Sequence, residues 1–167
     1  MNTNYTKFAL IAYPRTGSTL MINLLRSHPK VFAYGERFRK NLVNEKGFEK
    51  IYKKVFPEKV NSIRGVKIFH THHELIWNEI INHNYKIIHL QRKNLLRKYI
   101  SRLIANNTKI WHTDKININV DKKVYVNINK LFKDFETTNF QINKTRNIFK
   151  NHDMIEIYYE DLAQNKD

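Results

Sequence analysis

The chain has 167 residues, with 30 Lys and Arg against 15 Asp and Glu and a net charge of +15. This length suffices for one domain with its own apolar core, so we expect a single domain over residues 1–167. The absence of Cys excludes disulfides and thiolate metal sites. Because no leader pattern and no run of roughly 20 apolar residues is found, we expect a cytoplasmic protein without a transmembrane segment.

The positive charge fits three classes of partner: nucleic acid, an anionic membrane surface, or a small ligand with several negative charges. The basic residues are spread along the chain instead of forming an arm or a stripe, and no helix-turn-helix, RNA-recognition or zinc-finger pattern is present. We therefore expect no nucleic acid partner, while peripheral contact with a membrane stays open.

Residues 8–29 form the most informative stretch of the sequence. The apolar run 8–13 predicts a buried strand, and Pro14 interrupts it. Apolar residues then recur at helical spacing, so we predict a helix that begins at Gly17 or Ser18; they are Leu20, Met21, Leu24 and Leu25. The first N–H groups of a helix have no intrahelical partner and lie at the positive end of its dipole, which predicts an anion site here.

Side chains of the connecting loop add donors to that site, namely Arg15, Thr16, Ser18 and Thr19. The loop does not match the nucleotide-triphosphate pattern G-x-x-x-x-G-K-[ST], because it lacks the first Gly and the Lys before Ser18. A tight strand-to-helix turn with a Ser/Thr cap is the structural alternative.

The rest of the chain continues to alternate strands and helices. We predict strands at 31–34, 65–69, 86–90 and 154–159, and helices near 48–56, after Thr71, after Asn94 and over 129–150. Thr71 and Glu74 match a capping box, which puts His72 and His73 in the first turn of a helix. Residues 106–128 read as a long loop. This order predicts a three-layer α/β domain with a mainly parallel central sheet flanked by helices.

A second candidate anion site follows the strand at 86–90. Arg92 lies at the end of that strand, and Ser101 lies two turns into the next helix, where a guanidinium and a hydroxyl could bind one phosphate. Asn94 and either Arg97 or Lys98 share the polar face. An ordinary solvated helix face is the structural alternative.

Three segments resemble PAPS-dependent sulfotransferases, in particular the bacterial carbohydrate-modifying branch (PAPS is 3'-phosphoadenosine 5'-phosphosulfate). They are the loop at 14–19, the segment 89–112 with Arg92, Ser101 and Trp111, and the YEDL motif at 159–162. The resemblance implies a P-loop-like fold, PAPS as donor and 3'-phosphoadenosine 5'-phosphate (PAP) as product. The implied cofactor-binding residues are Arg15, Thr16, Gly17, Ser18, Thr19, Leu20, Arg92 and Ser101. Family members usually continue past this motif, so we expect that the chain lacks a C-terminal region.

The resemblance also implies candidate catalytic residues. Arg15 would stabilise charge on the leaving phosphate, and Glu36 or His70 would accept the proton of the acceptor. His70 forms a K-x-x-H pattern with Lys67, whereas cytosolic members have K-x-H; Lys67 is then a candidate charge stabiliser. Residues 70–73 contain three His, but without Cys or a fourth ligand we expect no metal site.

We thus predict a sulfotransferase that moves a sulfuryl group from PAPS to a hydroxyl of a carbohydrate or glycolipid. Three alternatives stay open at this point. A P-loop phosphotransferase would need a loop Lys and an acidic magnesium ligand, a basic nucleic-acid-binding domain would bind any polyanion, and a degenerate member would bind the nucleotide without catalysis.

Overall fold

The structure, a computed structural model, describes residues 5–41, 44–58, 60–111 and 123–164. Strands and helices alternate through most of these ranges. The strands are β1 (Lys7–Ala12), β2 (Val31–Tyr34), β3 (Ile63–Phe69), β4 (Lys86–Gln91) and β5 (Met154–Tyr158). The helices are α1 (Ser18–Ser27), α2 (Glu45–Val55), α3 (Glu74–Asn82), α4 (Leu95–Thr108), α5 (Ile128–Ile148) and α6 (Tyr159–Gln164).

The five strands form one sheet in the order β2-β3-β1-β4-β5, and each neighbouring pair is parallel. β1 lies in the centre, with Ala12 in register with Phe69 of β3 and Leu90 of β4. The carboxyl ends of these three strands therefore meet at one edge of the sheet. The predicted α/β architecture with a parallel sheet is confirmed.

Alternating side chains of β1 contribute to apolar clusters on the two faces of the sheet, as the period of a strand requires. Ala9 and Ile11 pack with residues from α2, α3 and the end of α5, which include Val55, Ile76, Ile80 and Phe149. Phe8, Leu10 and Ala12 pack on the other face with Met21 and Ile22 of α1. Because both faces of β1 are covered, its residues Phe8 to Ala12 are all buried.

Several predicted boundaries are confirmed. α1 begins at Ser18 after Gly17, and Asn94 caps α4 by accepting a hydrogen bond from the Arg97 N–H at 2.8 Å. The helix predicted over 129–150 is α5, Ile128–Ile148. Among the described residues, no helix has the length and apolar character needed to cross a bilayer.

The capping box predicted at Thr71 is wrong. α3 begins at Glu74, and His73 is its N-cap, with a side chain that accepts from the Leu75 N–H at 3.3 Å. The backbone of His73 is extended, with φ −61° and ψ 141°, so the residue lies outside the helix; its N–H donates to the Phe38 carbonyl at 2.9 Å. His72 and His73 are therefore not residues of the first turn.

The predicted polar face of α4 also needs correction, because Lys98 is buried instead of solvated. Its ammonium group pairs with Asp134 of α5, as described below. The loop predicted over 106–128 is helical through Thr108. Residues 123–127 precede α5 without regular structure, and residues 112–122 lie outside the described ranges.

Candidate active site

A cavity of about 750 Å³ lies at the carboxyl ends of β1, β3 and β4. The connection after β1 leads towards β2 and the connection after β4 leads towards β5, in opposite directions along the sheet, and the crevice between two such connections is where α/β proteins bind ligands. The lining includes most of the residues predicted from the sequence and several that were not: Pro14, Arg15, Gly17, Ser18, Thr19, Leu20, Asn23, Glu36, Arg39, Lys67, Phe69, Arg92, Ser101, Trp111 and Tyr159.

The loop between β1 and α1 has the backbone of a tight turn. Arg15 and Gly17 both adopt positive φ angles, 68° and 81°, and Arg15 does so without the conformational freedom of glycine. Thr16 is buried, and its hydroxyl donates to the Tyr13 carbonyl at 2.7 Å, so it closes the turn and is not among the lining residues. Ser18 and Thr19, in contrast, line the cavity at the start of α1.

Arg15 connects the two predicted anion-binding segments. Its Nε donates to Ser101 Oγ at 2.8 Å, and its Nη1 donates to the Trp111 carbonyl at 2.6 Å. Burial and the positive charge of Arg92 lower the pKa of the Arg15 guanidinium, while Tyr159 acts in the opposite direction. Two guanidinium groups that interact in this way beside a cavity favour the binding of an anion.

Arg92 lies at the end of β4 and also has an unused donor. Its Nη1 donates to the Arg15 carbonyl at 3.0 Å, which ties it to the first loop. Its Nε is buried and has no hydrogen-bond partner among the described residues; the Glu160 carboxylate lies 3.9 Å away. A buried charged donor without a hydrogen bond is costly, so this atom favours an anionic ligand.

Tyr159 was not predicted as a site residue, yet its ring lines the cavity between Gly17 and Arg92. A Cβ added to Gly17 would lie 2.2 Å from Tyr159 Cδ2, so the ring packs directly on the glycine. The Arg92 Cζ lies 4.6 Å from the ring centroid. The YEDL motif at the end of a parallel strand was the sequence feature that could have identified this residue.

Glu36, Lys67 and Arg39 form an ion-pair cluster in the cavity wall. Lys67 Nζ lies 2.9 Å from Glu36 Oε1, and Arg39 pairs with Glu36 Oε2. Burial acts to raise the pKa of the Glu36 carboxyl, but hydrogen bonds and charges from Lys67 and Arg39 outweigh it and lower the pKa. Glu36 is thus an ionised carboxylate at neutral pH, which is the form that can accept a proton.

His70 lies away from the cavity wall. Its ring stacks on Trp77, with centroids 5.6 Å apart, and contacts Tyr13 at 5.4 Å. Burial lowers the pKa of His70 to about 4. In the described part of the chain, no group of His, Asp and Glu side chains is arranged to hold a metal ion.

Comparison with known protein families gives a match, whereas a search of curated proteins finds none. The match is to the sulfotransferase domain, and it covers residues 5–167.

Proposed function

The chain belongs to the sulfotransferase family, and from this premise we propose that it transfers a sulfuryl group from PAPS to a hydroxyl of a carbohydrate or glycolipid acceptor. One observation carries the proposal. A single cavity is lined by Arg15 and residues 17–20 of the first loop and helix, by Arg92 and Ser101, and by Glu36. Donors for an anionic nucleotide and an acceptor for a proton thus lie around the same space.

The residues present fit a nucleotide with phosphates at two positions. Gly17 and the N-terminus of α1 offer backbone N–H groups that have no intrahelical partner, and Arg15 adds a guanidinium. In our proposal these groups, with Ser18, Thr19 and Leu20, hold the 5' end of PAPS. Arg92, with its unused Nε, and Ser101 hold the 3'-phosphate.

The bound nucleotide supplies an activated sulfuryl group, whose bond to the 5'-phosphate breaks as a bond to the acceptor oxygen forms. Arg15 and the N-terminus of α1 stabilise the negative charge that appears on the leaving phosphate. Glu36 accepts the proton of the acceptor hydroxyl, and Lys67 keeps that carboxylate ionised beforehand. We assign proton acceptance to Glu36 and not to His70, because Glu36 lines the cavity.

The acceptor side of the cavity supports a substrate with hydroxyl groups. Glu36, Arg39 and Asn23 offer hydrogen-bond acceptors and donors there, while Phe69 and Leu20 add apolar surface. Sugars present both kinds of surface. A glycolipid acceptor would bring the protein into peripheral contact with a membrane, which a net charge of +15 favours for anionic lipids.

The test is calorimetric titration with PAP, with AMP and ATP plus magnesium as comparison ligands. We expect selective binding of PAP by the unmodified protein and a loss of about 100-fold, roughly 3 kcal/mol, in Arg92→Ala. Arg97→Ala is the matched control, because Arg97 is an exposed arginine on α4 that does not line the cavity. It should bind PAP like the unmodified protein.

Other outcomes would overturn the proposal. Preference for ATP with magnesium would indicate a phosphotransferase. Binding of any polyanion that falls steeply with salt and does not depend on Arg92 would indicate a nucleic-acid-binding protein. Selective PAP binding without sulfuryl transfer to any member of a broad panel of sugars and glycolipids would indicate a nucleotide-binding protein without this activity.

A further inference from the structure

The outer side of α5 and the residues just before it carry the most exposed large apolar side chains of the described part of the chain. Tyr125 is 87% exposed, and Ile128, Phe132 and Phe140 are 57%, 60% and 63% exposed. The Phe132 ring is supported by an edge contact with Phe135, with ring centroids 6.4 Å apart. Apolar side chains that gather on one exposed surface indicate a docking site.

Exposed lysines share this side of the helix, namely Lys130, Lys133 and Lys144. Within the described ranges none of them forms an ion pair, whereas other surface lysines do, as Lys86 does with Asp153. Asp134 is buried against Lys98, so Glu136 is the one exposed acid of the helix. The apolar residues at 128, 132 and 140 and the three lysines are called the α5 face below.

The first turns of α5 lie at the same end of the sheet as the cavity. The helix leads into the amino end of β5, so it runs antiparallel to the strands. Asp134, in its second turn, pairs with Lys98 and Arg102, which stand on either side of Ser101 in α4. Ser101 lines the cavity. The α5 face is therefore joined to the cavity wall through two ion pairs.

We propose that the α5 face docks on an anionic membrane surface and so presents the cavity to lipid-linked acceptors. The inference rests on the proposed function and selects glycolipids among its acceptors. Apolar side chains enter the region between the head groups, where neighbouring lysines attract anionic lipids. Trp111, a residue type suited to such an interface, is exposed and lines the cavity. A second copy fits this face less well, because two cationic surfaces on chains of charge +15 repel each other.

The first experiment measures sedimentation of the protein with vesicles of phosphatidylcholine, either alone or mixed with phosphatidylserine. We expect binding to the mixed vesicles that weakens with added salt. Phe132→Ser/Phe140→Ser should lower that affinity at least about tenfold. Lys130→Gln/Lys133→Gln should lower it about 30-fold, because each lysine near an anionic surface contributes about fivefold.

Two matched controls remove the same kinds of side chain from other surfaces. Lys50→Gln/Lys54→Gln removes two exposed lysines of α2, and Leu24→Ser removes an exposed apolar side chain of α1. Both should bind vesicles like the unmodified protein. All the substituted side chains are exposed, so titration with PAP should be unchanged in every variant and shows that the fold is kept.

The second experiment measures sulfuryl transfer to a panel of glycosylceramides in the mixed vesicles and to methyl glycosides of the same sugars in solution. We expect the unmodified protein to favour the glycosylceramides. Phe132→Ser/Phe140→Ser should lower transfer to them at least about tenfold and leave transfer to the methyl glycosides unchanged.

Each result has a distinct meaning. Losses confined to the variants of the α5 face support the inference. If the unmodified protein does not bind the mixed vesicles, or favours the methyl glycosides, the inference is overturned and the proposed function stands. Equal losses in the control variants overturn it as well, and so does a dimer that Phe132→Ser/Phe140→Ser converts to a monomer. Vesicle binding without selective PAP binding overturns the proposed function and the link to an acceptor, and leaves only a membrane-binding surface.

Discussion

Arg15 donates a hydrogen bond from Nε to Ser101 Oγ at 2.8 Å, across 86 positions of the sequence. We predict that Ser101→Ala lowers the affinity for PAP about tenfold, the size of one hydrogen bond to a charged group, and lowers that for AMP less. Calorimetry measures both. Ser27→Ala is the control, since that hydroxyl donates to the Leu24 carbonyl on the exposed side of α1. Equal losses for the two ligands would contradict the assignment of Ser101 to the 3'-phosphate.

Gly17 is predicted to tolerate no side chain. In Gly17→Ala the alanine has to adopt a left-handed backbone with φ 81°, and its Cβ collides with the Tyr159 ring. We therefore expect a loss of about 2–4 kcal/mol in the free energy of unfolding. In a Tyr159→Ala background the collision disappears, and the same change should cost about 1 kcal/mol from backbone strain alone. Gly35→Ala is the control, because a Cβ there meets no atom within 4 Å. Urea unfolding gives all the values, and additive losses would argue against the packing of Tyr159 on Gly17.

Glu36→Gln should destabilise the protein, because it leaves the buried ammonium group of Lys67 without its carboxylate. We expect a loss of about 3 kcal/mol at pH 7, much of it recovered in Glu36→Gln/Lys67→Met. The pKa of Glu36 lies below its usual 4.5. The stabilisation is therefore complete above about pH 4.5 and is lost as the pH falls through the lower pKa of the folded state.

Urea unfolding of the two proteins at several pH values checks this prediction. The difference between the unmodified protein and Glu36→Gln should be constant from pH 7 to about 4.5 and shrink below that. A difference that already shrinks between pH 7 and 5 would show that the carboxyl is protonated in that interval, contrary to its ion pairs. The double variant controls for the loss of charge at Lys67.

Asp134→Asn should strongly destabilise the protein, because the Asp134 carboxylate lies 3.0 Å from Lys98 Nζ and the Lys98 side chain is almost fully buried. We expect a loss of about 3–5 kcal/mol at pH 7. Burial lowers the pKa of Lys98 and Asp134 opposes that effect, so the variant lowers this pKa further. Between the pKa values of the folded and unfolded states the unfolded chain then binds more protons, and stability should rise with pH.

Unfolding of Asp134→Asn between pH 7 and 10 measures this pH dependence. Arg102→Gln is the control for the other partner of Asp134. The Arg102 side chain, 2.8 Å from Asp134, is 32% exposed, so this ion pair is partly screened by water, and Asp134 still pairs with Lys98 after the change. It should cost clearly less than Asp134→Asn. A pH-independent loss in Asp134→Asn would mean that Lys98 keeps its proton without the carboxylate.

The sequence was sufficient to predict the features that depend on local pattern. The strand, loop and helix around Gly17 follow from an apolar run, small polar residues and a helical repeat, all within 22 residues. The helix cap formed by Asn94 likewise depends only on residues close to it in the sequence. The meeting of Arg15 with Arg92 and Ser101 was predictable because parallel strands bring their carboxyl ends to one edge of the sheet.

Features that depend on distant partners could not be predicted in this way. Thr71 satisfied the capping pattern, but the backbone of His73 is extended and its N–H bonds to the distant Phe38 carbonyl, so His73 and not Thr71 caps the helix. Lys98 looked solvated because its partner Asp134 lies on another helix. The K-x-x-H spacing, in contrast, puts Lys67 and His70 on opposite faces of an extended segment, which favoured Lys67 over His70, and Lys67 does lie in the cavity wall. The stacking of His70 on Trp77 of α3 could not be predicted, because it depends on how α3 packs.

The central position of β1 has a consequence for the order in which the protein folds. β1 pairs with β3 and β4, so the loop after β1 has neighbouring strands on both sides only when residues 63–91 have joined the sheet. Arg15 then still needs Ser101 and Trp111, up to 96 positions away. A site with such non-local contacts forms late, and a ligand that binds it stabilises the finished structure by mass action rather than guiding the chain towards it. Nucleotide should therefore slow unfolding and leave the folding rate almost unchanged.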